Sequence, residues 1–133
     1  MNHSLERVFF LRMAFLYTIL VADDDPVLLE IVAKVLEEPG YTVLTASDGY
    51  EAVRVLADRH VDLLITDVRM PGLSGFELAQ QAKLLRPNLH IVYMSGYYSE
   101  KKEGCVLSYG VFLQKPVRAD ALLATIRQEL VAR

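Results

Sequence analysis

The chain has 133 residues, 53% of them apolar and 23% charged, and a formal net charge of −3. That is the length of one domain able to bury its own core, with a globular rather than disordered composition. There is no basic excess to hold a nucleic-acid backbone, and the single Cys105 can form neither an internal disulfide nor a cysteine-rich zinc site. A lone cysteine fits a reducing cytoplasm, where its ordinary role is that of a small buried hydrophobe.

The first apolar stretch, VFFLRMAFLYTILVA over residues 8–22, is interrupted by Arg12 and ends in three aspartates. It is shorter than the roughly 20 residues a membrane span needs, and no small-residue cleavage site follows it. The stretch divides into an N-terminal extension, residues 1–16, and a buried strand over 17–22, so that the main domain is expected to occupy 17–133. Val8, Phe9, Phe10 and Phe15 of the extension are expected to pack on the domain or on a second copy rather than anchor it to a membrane.

From there one pattern repeats. Short apolar runs rich in β-branched residues lie at 17–22, 42–45, 61–66, 90–94 and 111–113. They are continuous rather than alternating, as in strands covered on both faces. Helical stretches lie between them. Asp25 is a good N-cap before Pro26, and Leu28, Ile31, Val32, Val35 and Leu36 then make one stripe that Pro39-Gly40 stops. Ser47 or Asp48 can cap a second helix carrying Ala52, Val53 and Leu56. Phe76, Leu78, Ala79, Ala82 and Leu85 mark a third, closed by Pro87, and Leu122, Leu123, Ile126 and Leu130 mark the last. Residues 97–109 contain Gly104 and few aliphatic anchors, which predicts a short, weak fourth helix. Five strand–helix units predict an α/β domain, a parallel sheet with helices on both faces.

In such sheets the chemistry lies beyond the carboxyl ends of the strands. The first run ends in Asp23-Asp24-Asp25, the third in Asp67, the fourth in Ser95, and the fifth is followed by Lys115-Pro116. Each residue alone has an ordinary role as a cap or turn residue, and Asp25 takes that role here. Together they put several carboxylates, a hydroxyl and an ammonium on one edge. Clustered carboxylates repel and call for a cation, and a hard-oxygen site of this kind suits Mg²⁺. A carboxylate can accept a phosphoryl group, whose oxygens a metal ion, a lysine and a hydroxyl can then stabilise.

The stretches ILVADDDP, TDVRMPGLSGFEL, VYMSGY and FLQKP resemble the receiver domain of bacterial response regulators over about residues 17–130. Spacing agrees: Ser95 follows Asp67 by 28 residues and Lys115 follows Ser95 by 20. The resemblance implies a flavodoxin-like (βα)5 fold with strand order 2-1-3-4-5. It implies that Asp67 accepts a phosphoryl group from a phosphohistidine of a sensor histidine kinase or a histidine phosphotransfer protein. It further implies that Asp23, Asp24, Asp67 and the backbone carbonyl of Arg69 hold Mg²⁺, Asp24 more directly than Asp23. Ser95 and Lys115 would contact the phosphoryl oxygens, and Phe112 matches the switch aromatic. The output surface would be the fourth-helix segment, the fifth strand and the fifth helix, meeting a downstream protein or a second copy of the chain. Such a domain is no enzyme beyond its own phosphorylation and dephosphorylation.

Several positions depart from the family pattern. Arg69 and Tyr97 stand where they would hinder or guide the hydrolytic water, Phe112 lacks a phenolic hydroxyl, Val117 replaces a common Phe, and residues 103–109 are unlike the usual small-residue pattern. The sequence ends at Arg133 just after the last predicted helix, and is read as a receiver without an attached output domain. Other phosphate chemistries fail on motif: no glycine-rich phosphate loop follows the first strand, Asp67-Val68-Arg69 lacks the second carboxylate of a haloacid-dehalogenase phosphatase, and three acids replace the hydroxyl-rich loop of a flavodoxin. The alternative is a receiver-like interaction module without phosphotransfer, which would not bind beryllofluoride.

Overall fold

The computed structural model describes residues 13–96 and 109–131. Five parallel strands, β1 (Thr18–Ala22), β2 (Thr42–Ala46), β3 (Leu63–Asp67), β4 (His90–Ser95) and β5 (Val111–Gln114), form one sheet in the order β2-β1-β3-β4-β5. Four helices are described, α1 (Pro26–Glu37), α2 (Gly49–Asp58), α3 (Gly75–Leu85) and α4 (Ala119–Val131), after a 3-10 turn at Ala14–Leu16. The expected α/β architecture and strand order are observed; the expected fourth-helix segment lies largely outside the described residues, as do Cys105 and Val8, Phe9 and Phe10.

The continuous apolar runs have the expected cause. Along β1, Ile19 and Val21 face one layer with Val32, Leu36 and Ile126, while Leu20 and Ala22 face the other with Leu56, Leu78 and Ala82. Strand side chains alternate, so a strand covered on both faces must be apolar throughout. Deleting Leu36, fully buried, to alanine would cost about 2–5 kcal/mol.

Helix starts follow the local rules. The Asp25 carboxylate accepts from Val27 and Leu28 backbone N–H groups, and Asp48, rather than Ser47, caps α2 by accepting from Glu51 N–H. Ser47 instead donates its hydroxyl to the Glu51 carboxylate. Ser74 and Glu77 form a reciprocal capping box at α3, a Ser-x-x-Glu signature that went unread in the sequence.

Two apolar residues are not where the stripes put them: Ile31 and Leu85 are exposed. Of the two packing sites expected for Phe15, the domain itself does not cover it. Ala14, one residue earlier, is fully buried against the core, so the turn before β1 contributes to the domain. Among the described residues no helix is long and apolar enough to cross a membrane.

Candidate functional site

Register builds the site. Ala22 pairs with Thr66 and Met94 with Asp67, so Asp23, one step beyond β1, comes level with Asp67 at the end of β3. Ser95 ends β4 opposite Gln114, and Lys115 follows directly, its N–H donating to the Ser95 carbonyl at 2.8 Å. The peptide between Lys115 and Pro116 is cis. Four residues distant in sequence thus share one edge because their strands run parallel and in phase.

The loop after Asp67 is closed at its neck. Gly75 N–H donates to Val68 carbonyl, and a Cβ at Gly75 would overlap the Asp67 carbonyl oxygen. Only glycine permits that approach. The buried Thr66 hydroxyl donates to the same carbonyl at 2.9 Å, holding the acceptor's own backbone.

Charge is distributed unevenly. Asp23, Asp24 and Asp67 bring carboxylate oxygens within 4.8 Å of one another. Asp23 is 1% exposed and Asp24 is exposed. Lys115 Nζ lies 3.1 Å from Asp67 Oδ2 and 3.7 Å from Asp23 Oδ2, a single cation between two anions. Asp23 Oδ1 accepts from Asp25 N–H, but its buried Oδ2 has no hydrogen-bond partner among the described residues. Burial raises the Asp23 pKa above its ordinary value, the Asp25 N–H and Lys115 oppose this, and the charges of Asp67 and Asp24 add to it. A buried carboxylate oxygen short of donors, beside two further carboxylates, is a donor set fitted to a hard divalent cation.

The predicted acidic, hydroxyl and lysine residues stand on this edge, whereas Phe112 lies within β5, paired with Tyr93. Ser95 is buried, Arg69 lies on the exposed loop after Asp67, and Arg69, Asp67 and Lys115 edge a groove of about 670 Å³ floored by Val32, Met94 and Leu122. Phe112 is half-buried, its ring stacked on Tyr93. Sequence reasoning missed Thr66 and Tyr93. Tyr93 sits inside a continuous apolar run, and nothing local distinguishes it from core.

The family described as response regulator receiver domain matches residues 19–127. The chain belongs to this family. Among curated relatives it is 36% identical over 114 residues to the transcriptional regulatory protein GlrR of Escherichia coli, and 34% identical over 110 residues to the sensor histidine kinase RcsC of the same species. These alignments cover 84% and 81% of the chain but only 26% and 12% of the relatives, so the chain spans a small part of their length. Similar solved structures include a response regulator receiver protein from Sinorhizobium medicae, with a TM-score of 0.80 at 31% identity, covering 87% of this chain and 95% of that one. The chemotaxis response regulator CheY4 of Vibrio cholerae has a TM-score of 0.78 at 28% identity, covering 85% of this chain and 98% of that one.

Proposed function

We propose that this receiver domain is a phosphorylation-activated switch or relay in which Asp67 is the phosphoacceptor. The observation that carries the reading is Lys115 placed between Asp67 and Asp23, next to a buried Asp23 oxygen with no hydrogen-bond donor among the described residues. Mg²⁺ would be held by Asp23, Asp24, Asp67 and the carbonyl of Arg69, and when bound it would neutralise the carboxylates and draw charge from the phosphoryl oxygens. An Asp67 carboxylate oxygen attacks phosphorus, the bond from phosphorus to the histidine nitrogen of the donor breaks, and the imidazole leaves. Lys115 compensates the charge that arrives, and the Ser95 hydroxyl donates to a phosphoryl oxygen. Its catalysis is confined to its own phosphorylation and dephosphorylation; when it acts as a relay, the Asp67–phosphorus bond breaks as a histidine of the next protein takes up the phosphoryl group.

The donor class is a phosphohistidine on a sensor histidine kinase or a phosphotransfer protein, met in a reducing compartment such as the cytoplasm. Output leaves through the surface around residues 97–109, β5 and α4 to a downstream protein or a second copy. Incubation with acetyl phosphate and Mg²⁺ is expected to add one phosphoryl group by intact mass, lost in Asp67→Asn. Equal labelling of the variant and the parent chain would overturn the assignment.

A further inference from the structure

Tyr93 occupies a position that the phosphoacceptor chemistry does not use. It is fully buried, two residues before Ser95 on β4 and, by the alternation of a strand, on the same face. Across the ladder it is paired with Phe112. The two rings stack with centroids 4.8 Å apart and 26° between planes, and Phe76, the residue after Gly75, packs on Tyr93 at 5.2 Å and 56°. Phe76 also meets Phe112 at 6.1 Å. The three rings thus join the neck of the Asp67 loop, the strand that ends in Ser95 and the strand that leads to Lys115.

The Tyr93 hydroxyl adds a polar contact that a Phe would not provide. It accepts the backbone N–H of Tyr109 at 3.2 Å, two residues before β5 begins. The next residue, Gly110, lies so close to β4 that a Cβ there would overlap the Ile91 carbonyl oxygen. The entry to β5 is therefore held on β4 at successive residues, by close backbone contact at Gly110 and by a side-chain clasp at Tyr109. Any inward shift of Phe112 toward Ser95 must slide its ring along Tyr93 and draw on this clasped entry.

We propose that Tyr93 is a positioning residue of the switch: its ring is the surface on which Phe112 is seated, and its hydroxyl clasps Tyr109 so that leaving this seat is costly. The clasp favours the Phe112 placement described here, and phosphorylation is inferred to favour another. The coupling to phosphorylation rests on the phosphoacceptor reading above; the clasp itself does not. One neutral hydrogen bond corresponds to about a five-fold bias.

The test uses the full chain as wild type, Tyr93→Phe, Phe112→Ala and the double variant. Hydrogen exchange at the Tyr109 amide and the midpoint of beryllofluoride titration with Mg²⁺, read at the Ser95 and Gly96 amides, are measured by NMR. Tyr93→Phe keeps the ring and its packing, and is expected to speed Tyr109 exchange about five-fold and to lower the beryllofluoride midpoint by a similar factor. In the Phe112→Ala background the same substitution is expected to leave the midpoint where Phe112→Ala alone puts it. A midpoint that is unchanged, is raised, or shifts equally with and without Phe112 overturns the positioning role. A wild-type chain that binds no beryllofluoride refutes the phosphoacceptor reading; the clasp is then judged by Tyr109 exchange alone, where an unchanged rate overturns it.

Discussion

At the amino-terminal end of the sheet, Asp62 has both carboxylate oxygens engaged. Oδ2 accepts from Thr18 N–H and Oδ1 meets the His60 ring, each at 2.8 Å, while the Asp62 backbone bonds to Thr18 and His90. At the carboxyl-terminal end, Asp23 is more deeply buried and has one oxygen without a hydrogen-bond donor among the described residues, close to two other carboxylates and a lysine. The same residue type thus serves as a stitch at one end and as a site at the other. The difference lies in how far the protein itself satisfies the charge: a carboxylate supplied with donors stabilises the fold, whereas one left short retains capacity for a cation or a phosphoryl group.

Substitutions at the two ends should separate along that line. The largest effect is expected on metal affinity. If Asp24 is a ligand, as proposed, Asp24→Asn should weaken Mg²⁺ binding followed by calorimetry by at least about 10–100-fold, the range seen even for residues that only support a ligand. Asp62→Asn should leave it unchanged, and parallel losses at both ends would erase the contrast.

The ends should also respond to opposite extremes of pH. Tyr41, buried beside α1, has its hydroxyl pushed up to about 12 by burial, with Arg127 opposing. Its folded value lies above the unfolded one, so its contribution is intact below pH 10 and is lost as pH rises toward 12. Unfolding free energies from urea titrations should therefore fall over that window by up to about 2 kcal/mol, and Tyr41→Phe should flatten the fall. An identical alkaline profile in the variant would assign the loss to other groups.

Asp62→Ala is expected to cost about 1–2 kcal/mol in urea denaturation, because the Thr18 N–H loses its acceptor in a half-buried position. The smallest effect runs the other way. The raised Asp23 pKa means that the charged form disfavours folding once pH rises past the ordinary value of 3.8. In metal-free buffer at neutral pH, Asp23→Asn should raise stability by up to about 1 kcal/mol, and the gain should vanish in acid. A loss of stability at neutral pH would show that Lys115 and the Asp25 N–H already satisfy this carboxylate.

Much of the site was legible because each of its residues terminates an apolar run, and parallel strands deliver their ends to one edge. The motif around Asp67, with Gly75 eight residues on, carried the rest. Less legible was the environment of each strand. The runs at 42–45 and 111–113 read like those of the centre, yet β2 and β5 are edge strands with exposed residues at Thr42, Thr45, Val111 and Gln114. A run of four residues has the same local pattern at an edge as in the middle, and strand order alone separates the two cases.

The sequence by itself determined the periods, the cap at Asp25, the choice of Ser47 or Asp48 as the next cap, and which residues end the strands, since these depend on neighbours within a few positions. Only the tertiary structure decided that Asp23 rather than Asp24 is the buried carboxylate, that Lys115 stands between Asp67 and Asp23, and that Tyr93 both seats Phe112 and clasps Tyr109. Those relations span chain separations of 16 to 92 residues and are fixed by register and burial, to which local propensity is blind.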